Sequence, residues 1–227
     1  MNTLEIRLLK MVHTNPLKLY SLATPNGVKV TILLELLGLK YECQRLDIST
    51  NVQKEDWFLK LNPNGRIPTL VDPATGITIS ETGAIMQYLV DTYDKEHKFS
   101  YPGGTKEYYL QLETLFFQMA GIGPMQGQAN HFTFYAPEKI EYGIARYTNE
   151  TKRLYSVVEE YLKRNEKNGP YLVGSHYCIS DIAIFGWANS LKKLDIDISQ
   201  WPLTNKWFEK LSALPEVKNG LSIPPLQ

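Results

Sequence analysis

Cysteine is nearly missing from this chain: Cys43 and Cys178 are the only two among 227 residues. They stand far apart and form no CxxC pair. That excludes a disulfide framework and fits a reducing cytoplasm, the expected location. An excess of charge of one sign is missing too. Lys plus Arg and Asp plus Glu each number 24, so the formal net charge is zero. With no basic stripe to track phosphates, a nucleic-acid partner is not expected. No apolar run is long enough to span a bilayer, so no membrane partner is expected. There is no internal repeat, no low-complexity tract and no metal-ligand cluster, so no bound metal is expected. Near the N-terminus, Leu4, Ile6, Leu8 and Leu9 are interrupted by Arg7 and Lys10, too short and broken a run for a secretory signal. Glu5 sits badly in a transit peptide. Residues 1–15 therefore read as a short extension, an extra turn or strand, with a mitochondrial address as the alternative.

What is present suffices for a sizeable core in one large or two small domains. Leu17 to Leu22 reads as a strand. Thr24 then serves as N-cap with Pro25 at the first helical position. Val30, Leu33, Leu34 and Leu37 fall at i, i+3, i+4 and i+7, so a helix runs to Gly38. Tyr41 to Ile48 reads as the next strand, giving a right-handed parallel βαβ unit. Arg66–Asp72 and Gly76–Ile79 follow as short strands. Ile85, Met86, Leu89, Val90 and Tyr93 stripe one face of a second helix, for which Ser80 is the expected N-cap. Residues 16–94 thus form an α/β domain. Residues 95–104 turn polar and rich in Gly and Pro, which marks a linker. Beyond it, Leu112, Leu115, Phe116 and Met119, and later Leu154, Val157, Val158, Tyr161 and Leu162, carry helical spacing. Residues 105–227 are expected to be all-helical. Gly121, Gly123 and Pro124 imply a kink or break there. At Cys178, a thiol stands where a capping residue is expected before Asp181; either that cap is weak or Ser180 caps instead.

Two stretches carry the chemistry. Asn62-Pro63-Asn64-Gly65-Arg66-Ile67-Pro68-Thr69 is a punctuated loop entering a strand, and Ser80-Glu81-Thr82-Gly83 is a helix start. An extended backbone at Ile67 can pair with a peptide main chain. A helix N-terminus can hold a carboxylate on its free amides. Together they suit a short peptide with a carboxylate at its end. The pair resembles the glutathione-binding signature of the cytosolic glutathione transferases. The resemblance implies an N-terminal thioredoxin-like domain, a C-terminal helical domain, a cis bond at Ile67–Pro68, and pairing into a twofold dimer. It further implies that Ile67 pairs through its backbone with the cysteinyl moiety, with Arg66 and Pro68 also among the glutathione-binding residues. Glu81 would hold the α-ammonium of glutathione and Thr82 its γ-glutamyl carboxylate. Gln53 would lie near the glycyl end; a surface polar residue is the alternative reading.

Thr24-Pro25-Asn26-Gly27 resembles one subgroup, the fungal nitrogen-regulator-like transferases and their bacterial nu-class relatives. No cysteine lies in this segment, which argues against the cysteine-dependent classes. In that subgroup Asn, and sometimes Thr, faces the cofactor sulfur, which must be a thiolate to react. An amide cannot act as a base, so Asn26 would stabilise the thiolate by donating to it, with Thr24 beside it. Tyr20 and Ser21 read as ordinary strand residues. Gly123-Pro124-Met125, His131-Phe132 and Arg146-Tyr147 follow the same subgroup. His131 and Arg146 are candidates for the second-substrate site, against structural roles at the kink and on a solvated helix face. The resemblance implies glutathione-dependent reduction of disulfides, with peroxidase or conjugating activity as further options. The rival is a non-catalytic module of the nitrogen-regulator type.

Overall fold

A computed structural model describes residues 16–224; the extension read at 1–15 lies outside the described residues. The chain opens with β1 (Leu17–Ser21), α1 (Gly27–Leu36), β2 (Tyr41–Arg45) and a short α2 (Asp56–Leu59). There follow β3 (Thr69–Asp72), β4 (Ile77–Ser80) and α3 (Thr82–Tyr93). The sheet order is β2-β1-β3-β4, with β1 parallel to β2 and the other pairs antiparallel. This is the thioredoxin-like arrangement the sequence implied.

Thr24 caps the turn that leads into α1, as expected, but the regular helix starts at Gly27, after Asn26, rather than at Pro25. The Thr24 Oγ1 accepts from the Gly27 amide at 3.0 Å and its carbonyl accepts from the Val28 amide at 3.0 Å. Gly27 is obligatory here, because a Cβ would sit 1.9 Å from the Leu22 carbonyl oxygen. At the other end Gly38, at φ +62°, closes a Schellman turn: its amide donates to Glu35, and that of Leu39 to Leu34. The stripe of apolar residues understated the burial of α1. Every residue from Gly27 to Leu34 is buried, because the sheet side, α3 and two C-terminal helices enclose it. Each of its fully buried Leu, Ile and Val side chains contributes roughly 1.5–3 kcal/mol.

Three expectations are corrected. The second strand stops at Arg45 rather than Ile48, since the Asp47 carboxylate accepts from the Ser49 amide at 3.0 Å and turns the chain. The third starts at Thr69 rather than Arg66. The Asn62 side chain takes the Arg66 carbonyl at 2.8 Å, and Pro68 has no amide to pair. Ser80 is not an N-cap; it ends β4, with its hydroxyl 3.0 Å from that of Thr69. Glu81 takes the cap position, its carbonyl accepting from the Ile85 amide at 2.8 Å.

Residues 95–104 contain no helix or strand. Beyond them the chain is helical: α4 (Lys106–Phe117), α5 (Gly123–Asn130), α6 (Glu141–Asn165), α7 (Ile179–Ala188), α8 (Pro202–Ser212) and α9 (Pro215–Leu221). Where a kink or break was expected at Gly121–Pro124, the helix is not broken but widens into a π turn at Gln118–Ile122, and a second π turn at His131–Tyr135 follows α5. The path from α4 to Tyr135 therefore stays helical. Widened turns of this kind accommodate residues that α-geometry would crowd, and they recur at functional sites.

Cys178 remains the N-cap of α7, and Ser180 does not replace it. The Asp181 carboxylate supplies what the thiol lacks. It accepts from the amides of Cys178 and Leu172 and from the indole of Trp207, all at 2.8–3.0 Å. Burial nonetheless raises the Asp181 pKa, with the amide and indole hydrogen bonds opposing that shift.

Candidate active site

Between the two domains lies a cleft of about 1010 Å³. That is the upper end of the ~300–1,000 Å³ range of small-molecule sites. Its floor is the start of α1. One wall is the loop before β3 with the start of α3, and the other is the first π turn with α5 and Trp187 of α7. Thr24, Asn26, Gln53, Arg66, Ile67, Pro68, Glu81 and Thr82, proposed from the sequence, all line it.

Each is held in a usable way. The Thr24 oxygen is engaged by the Gly27 amide, so its proton is free to be donated. Asn26 Oδ1 accepts from the Trp187 indole at 3.0 Å. An indole nitrogen only donates, which fixes the amide orientation and leaves Nδ2 without a partner among the described residues. The Ile67–Pro68 bond is cis, and the Ile67 main chain makes no hydrogen bond among the described residues. Gln53 is buried, its Nε2 donating to the Ile48 carbonyl at 3.3 Å while Oε1 has no partner. Glu81 stands at φ +69° and ψ 115°, a left-handed backbone that costs a non-glycine residue roughly 1–3 kcal/mol. That conformation turns Glu81 into the cleft at the positive end of α3.

Tyr20 is elsewhere. It packs against Trp57 and Phe58, with ring centroids 5.9 and 6.1 Å away. His131 and Arg146 are not brought to the cleft. Arg146 lines a separate shallow pocket with Tyr142, Asn149 and Arg153, on the far side of α5. His131 is exposed and abuts Phe132. Neither protein thiol is poised to react. Burial pushes Cys43 up to about 11 and raises Cys178 further. Cys178 is also fully enclosed.

Among the cleft residues not proposed from the sequence are Lys29, Gln118, Met119 and Trp187. Lys29 is 1 % exposed. Its Nζ donates to Thr82 Oγ1 at 3.2 Å and to Gln118 Oε1 at 2.7 Å, so it joins the two domains. Burial drives its pKa down to about 7, opposed by the nearby Glu81 carboxylate. The signal for it was a lysine between Val28 and Val30 in a helix with no polar face. Trp187 gave no signal, because only the tertiary fold carries α7 to the start of α1.

The glutathione S-transferase N-terminal domain model matches residues 15–91 and the C-terminal domain model residues 122–215. The chain is 38% identical over 210 residues to the disulfide-bond oxidoreductase YfcG of Escherichia coli, covering 89% of this chain and 93% of that one. A glutathione transferase homolog from Lodderomyces elongisporus, whose crystal structure holds two GSH per subunit, superposes with a TM-score of 0.91. It is 58% identical, over 93% of this chain and all of that one. The nitrogen regulation fragment of the yeast prion protein Ure2p gives a TM-score of 0.86 at 32% identity, over 92% of this chain and 97% of that one. The chain belongs to the glutathione S-transferase family, among its Ure2p-like and YfcG-like members.

Proposed function

We propose that this protein binds glutathione in the interdomain cleft and uses it to reduce small disulfides. The observation that carries the reading is the Asn26 amide, pinned by Trp187 so that its NH₂ faces the cleft. Asn26 Nδ2 and the Thr24 hydroxyl donate to the glutathione sulfur and hold it as the thiolate, aided by the positive end of α1. The open main chain of Ile67 pairs with the cysteinyl residue, and Pro68 and Arg66 shape that wall. Glu81 binds the α-ammonium, Thr82 and the free amides of α3 bind the γ-glutamyl carboxylate, and Gln53 lies toward the glycyl end.

The thiolate attacks one sulfur of the disulfide. A mixed disulfide forms, and the other sulfur leaves as a thiolate that takes a proton from solvent. A second glutathione thiolate attacks the mixed disulfide at its glutathione sulfur, giving glutathione disulfide and the second thiol. Two electrons thus come from two glutathiones, and neither Cys43 nor Cys178 takes part. A cleft this large accommodates both molecules, as the Lodderomyces homolog's two GSH per subunit support. Within one chain, the second molecule meets Phe116, Pro124, Gln128, Asn130 and Tyr135 rather than His131 or Arg146. Peroxide reduction and conjugation would use the same thiolate. The family's twofold dimer is part of this proposal. Light scattering at micromolar concentration should report two chains.

Assays with hydroxyethyl disulfide and chlorodinitrobenzene, run side by side, test the reading; turnover of the disulfide is expected. The likeness to the Ure2p fragment favours the second reading, a non-catalytic binding module. Glutathione binding without turnover of either substrate would establish it.

A further inference from the structure

Lys29 is the one described lysine whose ammonium is enclosed within the cleft wall. It lies behind Thr82, the residue assigned above to the γ-glutamyl carboxylate. Its stem is admitted by Gly186 of α7, where a Cβ would come within 2.9 Å of Lys29 Cγ and 2.7 Å of the Pro25 carbonyl. Two of its three N–H groups meet Thr82 Oγ1 and Gln118 Oε1; the third points toward Met119 Sδ at 4.0 Å, a weak acceptor. The Thr82 hydroxyl, accepting from Lys29, spends its own proton on the same sulfur at 3.3 Å. Both groups are thus donors with a poor acceptor, in a wall one side chain deep. An anion arriving at Thr82 would satisfy both.

We infer that Lys29 is a positioning residue for glutathione: it orients the Thr82 hydroxyl toward the ligand's γ-glutamyl carboxylate and supplies the charge that balances it. The ligand's amino-acid end then meets a matched pair, its ammonium on Glu81 and its carboxylate against Thr82 backed by Lys29. This inference rests on the glutathione reading above. Glu81 is the charged group acting on Lys29. The facing groups of the π turn are the neutral Gln118 and Met119, and α7 presents Gly186. Asp181 of α7 is turned away, onto Leu172, Cys178 and Trp207.

A consequence follows that a purely structural bolt between the domains would not show. Free Lys29, near pH 7 in its titration, is largely neutral slightly above that pH, whereas a carboxylate in the site favours its charged form. Binding therefore takes up a proton. The experiment is calorimetry of S-methylglutathione, which has no titrating thiol, at pH 7.5 in two buffers of different ionisation enthalpy. Uptake of more than about half a proton per site is expected. Affinity should weaken as pH rises above 7. Lys29→Met should bind roughly tenfold more weakly at pH 7, with no such uptake and a flat pH profile. Binding by the wild type with no proton uptake would overturn the role of Lys29 and leave the glutathione reading standing. Absence of any binding by the wild type would overturn both. The wild-type measurement is decisive even if Lys29→Met does not fold.

Discussion

The indole of Trp187 donates a 3.0 Å hydrogen bond to Asn26 Oδ1, across 161 residues of sequence. This bond decides which end of the Asn26 amide faces the cleft. Trp187→Phe keeps the ring's bulk and removes the donor, so the amide is free to rotate its oxygen toward the thiolate. Turnover should fall roughly two- to tenfold, the scale of one hydrogen bond. The bound thiol's pKa should rise, read from the pH titration of the thiolate's ultraviolet absorbance. Asn26→Ala should cost more, up to about 2.7–4 kcal/mol in the barrier. Adding Thr24→Ala should be non-additive, since the two donors are proposed to converge on one atom. Unchanged titrations and rates in all these variants would remove Asn26 from the mechanism.

Glu81 occupies a strained position facing the cleft. Glu81→Ala removes the anchor proposed for the α-ammonium and should weaken glutathione binding roughly ten- to a hundredfold in calorimetry. Stability should change little, because the side chain is exposed and caps nothing. Unaltered affinity would sink the assignment.

Cys43→Ser with Cys178→Ser should retain disulfide reductase activity. Both thiols are held well above the ordinary range by burial, so neither is a thiolate near neutral pH. Ser is a better cap than Cys, so the replacement at 178 should be tolerated at the start of α7. A folded double variant without activity would point to a protein nucleophile.

Lys29 makes stability depend on pH with a definite sign. Its folded-state pKa of about 7 lies below the ordinary lysine value of 10.5. Between those values the unfolded chain carries a proton that the native chain lacks. Stability on this account rises with pH across that window, and the penalty is complete below it. Urea melts should show the wild type gaining on Lys29→Met by up to about 1.4 kcal/mol per pH unit between pH 7 and 10. Parallel curves would show that Lys29 is charged in the folded state throughout.

Local chemistry made much of this protein legible in its sequence. The cap at Thr24, the stop at Gly38, the helical character of the second half and the cleft residues of the two short motifs follow from side-chain and backbone preferences acting over a few residues. Ser80 was misread for a reason of the same range: a good capping residue was displaced by the strand that its hydroxyl helps pair with Thr69. The tertiary structure alone decided what joins distant segments. It brought Trp187 to Asn26 and Gln118 to Lys29, and it turned Arg146 away behind α5. Periodicity records which face of a helix is apolar; it does not record which helix comes to lie against it. A buried lysine and an oriented amide depend on that second fact, because their charge and direction are set by neighbours more than fifty residues away in the chain.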